Sequence, residues 1–111
     1  MEQLMKILAE KTRLRILNLL YKKPRCVCEL TAILELPQST ISRHISKMKL
    51  INLLIPQKEM LFTTYRINDE FFNKYSFFRF LLNDLNIEFN DDIEKSKHVS
   101  IINGKCIIQN K

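Results

Sequence analysis

The sequence predicts a mainly α-helical domain with one small β-hairpin, and three observations carry that prediction. Its single Gly and three Pro leave long stretches free of breakers; apolar residues recur at steps of three and four over residues 12–50 and 69–86; and within the first 86 residues only 51–67 are apolar or β-branched around a polar turn. A chain of 111 residues with 46% apolar content is the length of one domain around one core.

The elements follow in order. From Thr12 to Tyr21, Leu14, Ile16, Leu17, Leu19 and Leu20 are too dense for strand alternation and fit a helix buried on a wide face, capped by Thr12 and stopped before Pro24. Cys26 to Leu34 places Leu30, Ile33 and Leu34 on one side of a second, short helix, and Leu36 and Pro37 make the turn. From Gln38 to Leu50, Ile41, Ile45 and Met48 form the inner stripe, while Ser39, Ser42, Arg43, Ser46 and Lys47 face out. Two helices joined by a short turn, the second polar, small and basic on its outer face, make a helix-turn-helix pattern. Ile51–Ile55 and Phe62–Ile67 read as a hairpin, hence a wing. Asp69–Asn86 reads as one helix with Phe71, Tyr75, Phe78, Leu82 and Leu85 on one side. The reading divides the chain into residues 1–86, for DNA binding and dimerisation, and a tail, residues 87–111. In that tail Asn103–Gly104 signals a second hairpin, flanked by Val99, Ile101, Ile102, Ile107 and Ile108 and carrying Cys106.

Charge narrows the function. Residues 1–68 hold 12 Lys or Arg against 5 Asp or Glu, whereas residues 69–111 hold 6 against 7. A positive field confined to the half with the helix-turn-helix pattern favours a polyanion, nucleic acid first. No apolar run approaches the roughly 20 residues of a membrane span, and the start lacks a secretory pattern. Three cysteines, two of them one residue apart, make a poor disulfide framework, so a reducing cytoplasm is the expected compartment. There is no CxxC, no paired nucleophile and base, and no Gly-rich phosphate loop, which argues against an enzyme.

These residues resemble the ArsR/SmtB family of winged-helix, metal-responsive repressors. Leu8–Leu17 is similar to the family's LADPTRLRIL opening, Cys26–Leu30 to its arsenic-sensing CVC(D/E)L element, Leu36–Ile45 to LSQPTVSRHL, and Tyr65–Ile67 to the end of its wing. The similarity runs without gaps over residues 8–68. It implies a winged helix-turn-helix, dimeric through its first and last helices, that represses an operator until an inducer binds. The chain departs from the pattern in places. Pro37 stands where the family has a capping Ser, with Ser39 expected to take over part of the capping. Asn52 replaces a Gly after the recognition helix and tolerates a left-handed conformation, while Met60 replaces the wing-tip Gly, so the wing turn must be of another type.

In this frame Gln38, Ser39, Thr40 and Ser42 can exchange hydrogen bonds with bases and phosphates, Arg43 can bind guanine bidentately, and His44 can contact a phosphate. Lys47 and Lys49 supply charge, and Lys58 is the one basic residue of the wing loop. The partner expected is double-stranded operator DNA. The apolar residues around the last helix exceed one core face, so some of them, with Leu4, Met5 and Leu8, are expected to pack against a second copy in a homodimer.

Cys26 and Cys28 are the candidate sensor. Residues two apart on an α-helix point about 200° from one another and cannot share an ion. They converge only if Cys26 lies at or before the helix start, or if binding unwinds the first turn. The helix start and Lys22, Lys23 and Arg25 are expected to favour the thiolate. Sulfur ligands suit thiophilic ions, and the resemblance points to As(III) or Sb(III) as inducer, with no cofactor required. Thr31 stands where arsenic sensors of this type carry a third cysteine. Two sulfurs suffice for an organoarsenical, and Cys106 is the candidate third ligand. Zinc is disfavoured, because residues 69–86 contain no His and lack the Asp/His pairs of the family's interfacial site. Cadmium or lead through the three cysteines, thiol oxidation or persulfidation as the signal, and an interaction module without DNA binding stay open as alternatives.

Overall fold

The computed structural model describes residues 1–102 and 105–108, with side chains for residues 1–99. Six helices and a small sheet form the body: α1 (Glu2–Leu8), α2 (Lys11–Lys22), β1 (Arg25–Cys26), α3 (Val27–Leu34), α4 (Gln38–Leu50), β2 (Leu54–Lys58), β3 (Thr63–Ile67), α5 (Glu70–Lys74) and α6 (Ser76–Glu88). A tail follows as α7 (Asn90–Ser96), β4 (Val99–Ile102) and β5 (Lys105–Ile108).

The helix-turn-helix is α3 and α4. Leu30 and Ile33 of α3 are buried against Ile41, Ile45 and Met48 of α4, none more than 2% exposed, as the apolar spacing predicts. Between them Glu35 takes the left-handed conformation (φ 55°), closing α3 through its N–H to the Thr31 carbonyl. The wing is antiparallel, Leu54 opposite Ile67 through Lys58 opposite Thr63, and Asn52 supplies the left-handed residue (φ 64°) that turns the chain from α4 into it. Its tip closes by the Glu59 N–H donating to the Phe62 carbonyl at 2.8 Å, with no positive φ at Met60. A strand absent from the sequence reading, β1, pairs outside the hairpin, Cys26 opposite Thr64, giving the order β1-β3-β2. Two residues are too few to show periodicity.

Four expectations are corrected. Glu10, not Thr12, caps α2, its carboxylate accepting the Thr12 N–H at 2.7 Å. The single helix expected over residues 69–86 is broken at Tyr75 (φ −126°, ψ 97°). An unbroken helix rises 1.5 Å per residue and separates Phe72 from Phe78 by about 9 Å. The break lets their rings approach to 5.1 Å, with Phe71 6.4 Å from Phe78. Leu4, expected at a subunit contact, lies inside the core at 2% exposure, and Met5 is the outward residue of α1. Residue 86 lies within α6, and the tail docks on the body. Arg15 of α2 donates from Nε and Nη2 to the two Asp92 carboxylate oxygens, both at 2.9 Å, Lys95 meets Glu35 at 2.6 Å, and Val99 is buried. The strands β4 and β5 pair as expected; the turn at Asn103–Gly104 lies outside the described residues.

Candidate nucleic-acid interface and cysteine site

With its apolar stripe inward, α4 presents Gln38, Ser39, Arg43 and Lys47 to solvent, with Thr40 and Ser42 half-buried beside them. No side chain caps its start: the Pro37 carbonyl takes the Thr40 and Ile41 N–H groups, and Ser39 makes no capping bond, contrary to expectation. The first turn thus keeps the partial positive charge that suits a phosphate. Lys49 lies 5.7 Å from the centre of the Tyr65 ring, linking the recognition helix to the wing. Lys58 is exposed at the end of β2.

His44 is placed differently from the rest. Its side chain is only 13% exposed and its Nε2 lies 3.1 Å from the Glu10 carboxylate, joining α4 to the start of α2. Burial lowers its pKa, partly opposed by Glu10, and Nδ1 is buried with no partner among the described residues. Its i+3 spacing from Ile41 puts it at the margin of the inner stripe, where it also joins α4 to the start of α2.

At the other end of the motif, Cys26 is the N-cap of α3, in extended conformation (φ −89°, ψ 166°) and therefore before the helix start. Its Sγ accepts the Glu29 N–H at 3.4 Å, while the Glu29 carboxylate accepts the Cys26 N–H at 3.2 Å, a capping box in which sulfur replaces the usual hydroxyl. The other Glu29 oxygen lies 3.7 Å from Arg25 Nη1, and Arg25 Nε donates to the Leu19 carbonyl at 3.2 Å. Cys26 is a buried free thiol. Burial pushes its pKa up, the Glu29 N–H pulls it down, and the Glu29 carboxylate adds to the rise. The expected thiolate-favouring field is thus corrected: Arg25 is buried and faces Glu29, and burial raises the Cys26 pKa rather than lowering it. The roles of Arg25 and Glu29 escaped the sequence reading, although Glu29 three residues after a cap is the capping-box spacing.

Cys28, on the first turn of α3, is exposed and, unlike Cys26, is not a free thiol. That departs from the expectation of uniformly reduced cysteines. A shallow cavity of about 240 Å³ opens between both cysteines, Gln38 at the start of α4, and Phe62, Thr63 and Tyr65 of the wing. The strand β5, which carries Cys106, runs beside α3; the Cys106 side chain lies outside the described residues. Among the described residues no three His, Cys, Asp or Glu side chains form a cluster able to hold a metal ion. No helix there is long and apolar enough to cross a membrane.

A recognition helix on a two-helix motif, followed by an antiparallel hairpin, defines a winged helix-turn-helix regulator. The family profile described as "Bacterial regulatory protein, arsR family" matches residues 10–55. The crystal structure of the transcriptional repressor PagR of Bacillus anthracis superposes with a TM-score of 0.59 at 32% identity, over 78% of this chain and 90% of that one. The chain belongs to the arsR family of bacterial regulatory proteins. It is 38% identical over 66 residues to the arsenic resistance transcriptional regulator ArsR1 of Pseudomonas putida, covering 59% of this chain and 52% of that protein. To the arsenical resistance operon repressor of Escherichia coli K12 it is 40% identical over 67 residues, covering 60% of this chain and 57% of that protein. The chain thus spans little more than half the length of these two relatives.

Proposed function

We propose that this chain is a homodimeric, cytoplasmic transcriptional repressor that leaves its operator when trivalent arsenic or antimony is bound by Cys26 and Cys28, with Cys106 as the candidate third sulfur. The observation that carries the reading is the position of Cys26 as the N-cap of α3. Outside the helix, its sulfur is free of the 200° divergence that forbids joint ligation within a regular helix. Two sulfurs fit a soft trivalent ion and suit zinc poorly. The relatives named for arsenic resistance support the choice of element.

Binding reaches DNA through contacts on both sides of Cys26. Its backbone pairs with Thr64 of β3 in the wing, and α3 packs on the recognition helix. Gln38, Ser39, Thr40, Ser42, Arg43 and Lys47 carry the helix contacts and Lys58 the wing contact. Exposed Met5 on α1, and Phe80 and Ile87 seven residues apart on α6, supply an apolar face for the second copy.

The test is titration of the complex with its own upstream DNA by arsenite, antimonite, cadmium and diamide, using the native chain and Ser replacements at 26, 28 and 106. Once a thiol reductant has freed Cys28, arsenite is expected to release the native chain and to leave Cys26→Ser and Cys28→Ser bound; if both variants are still released by arsenite, the sensor is wrong. A second reading, thiol oxidation as the signal, is favoured by Cys28 not being a free thiol and by the Cys106 strand running beside α3. It predicts release by diamide that is lost in both Cys28→Ser and Cys106→Ser.

A further inference from the structure

Positive charge collects uncompensated at one place away from the recognition helix. A shallow cavity of about 320 Å³ opens where the end of α2, the base of the wing and α6 meet. Lys22 and Lys23 line it from the end of α2, Arg66 from β3 and Arg79 from α6, against Asp69 as the one carboxylate of the lining. None of these four cationic side chains has an ion-pair or hydrogen-bond partner among the described residues; Arg79 rests on the Phe72 ring, 4.8 Å from its centre. Other cavities lack this imbalance. The neighbouring one, of about 360 Å³, shares Lys23 but adds Glu29 and Glu59, and the one beside α7 holds Arg15 already paired with Asp92. Cations of one sign around a concavity with apolar walls focus their field on it and draw an anion. Alternation along β3 sets Arg66 on the face opposite Tyr65, whose ring meets Lys49 of α4, so the site is not part of the surface that α4 offers to DNA.

We propose that this cavity binds a small polyanion carrying a diphosphate group, an effector separate from both the operator and the cysteine site. Arg66 and Arg79 supply planar, paired N–H donors that match phosphate oxygens two at a time, and Lys22 and Lys23 add point charges. A single carboxylate offers two oxygens and one charge, too few for four cations; a diphosphate answers them all. Tyr21 and Phe72, ring centres 5.7 Å apart, give the cavity an apolar wall, beside which such bonds are stronger than in open water. The volume stands near the roughly 300 Å³ lower end of small-ligand sites, which suits a compact anion better than a duplex. Arg66 lies at the wing base, opposite Ile55, so an anion held by all four cations ties the wing to α2 and α6.

The test is calorimetric titration of the full chain by pyrophosphate and by acetate, at fixed ionic strength and without DNA. The native chain is expected to bind one pyrophosphate per chain saturably, about tenfold or more tightly than acetate. Arg66→Gln and Arg79→Gln are each expected to weaken pyrophosphate binding by about tenfold, whereas Lys47→Gln, on the outer face of α4, should leave it within about twofold. Should Arg66→Gln fail to fold, Lys22→Gln combined with Lys23→Gln, both exposed, reads the same loss. Pyrophosphate affinity unchanged in the cavity variants, or lowered equally by Lys47→Gln, overturns the proposal. So does a native chain that does not saturate; if Arg79→Gln then lowers the slope of log operator affinity against log salt by about 1, the cavity belongs to flanking DNA instead.

Discussion

Replacing Glu29 by Ala tests the packing beneath the candidate cysteine site. One Glu29 oxygen accepts the Cys26 N–H at 3.2 Å; the other lies 3.7 Å from Arg25 Nη1, with the two side chains 6% and 4% exposed. Removing one member of a buried ion pair costs about 3–5 kcal/mol, because the remaining charge is left uncompensated. Here Arg25 keeps its bond to the Leu19 carbonyl, and 3.7 Å is long for a hydrogen-bonded pair, so the lower bound of about 3 kcal/mol applies. The orphaned Cys26 N–H adds about 1 kcal/mol. At about 2.1 cal/mol/K of unfolding entropy per residue, 4 kcal/mol over this chain lowers Tm by roughly 17 °C. Thermal unfolding followed by far-ultraviolet circular dichroism under reducing conditions reads this directly. Arg25→Met combined with Glu29→Leu removes both charges and should recover most of the loss. A drop below about 4 °C for Glu29→Ala, or a double variant as unstable as the single one, would refute the reasoning.

Three further outcomes are expected. Asp92→Asn removes the charge from the paired bonds to Arg15 and should cost about 1.5–3 kcal/mol, read as a lower urea midpoint. For His44, burial holds the folded pKa below the ordinary 6.5, so between the two values the unfolded chain binds more protons. Its contribution is therefore complete above about pH 6.5 and is lost as pH falls through the folded pKa; His44→Gln should flatten the slope of Tm against pH over that window. Arg43→Ala and Lys47→Ala should each reduce the slope of log affinity against log salt by about 1, and only Arg43→Ala should also relax base preference. Equal salt slopes for the native chain and both variants would place α4 away from DNA.

Periodicity made the helix-turn-helix legible, because Ile41, Ile45 and Met48 have one face to occupy and the structure buries all three. Asn52 was legible for a different reason: only a few residue types take a left-handed conformation at low cost, and one stands where the chain must reverse into the wing. Glu35, which takes the same conformation with no residue-type signal, was not legible. Nor was the break at Tyr75, since Phe71, Tyr75 and Phe78 satisfy a helical spacing whether or not the helix is continuous, and only the contact between rings decides. For the cysteines, sequence gave the geometric requirement that Cys26 precede the helix. It did not give the ionisation, because Arg25 looks like a free cation until its burial against Glu29 is known.

Cys26 occupies one point at which three structures meet: the end of β1, the cap of α3, and the cavity facing Gln38. Its sulfur performs a cap that Ser performs better, and a cap contributes about 0.5–2 kcal/mol. When a thiophilic ligand takes that sulfur, the Glu29 N–H loses its acceptor and α3 loses that stabilisation. Coupling between an inducer and DNA typically amounts to about 1–3 kcal/mol, so loss of the cap alone is of the right size to shift operator affinity several-fold. The backbone of Cys26 cannot move without moving Thr64, its partner in the wing, which adds to the same effect. Cys26→Ser separates the two roles of the residue. It should preserve or slightly raise Tm, because the hydroxyl keeps the cap, while abolishing the response to arsenic; a variant that loses stability and response together would mean that the sulfur is held there for packing rather than for release.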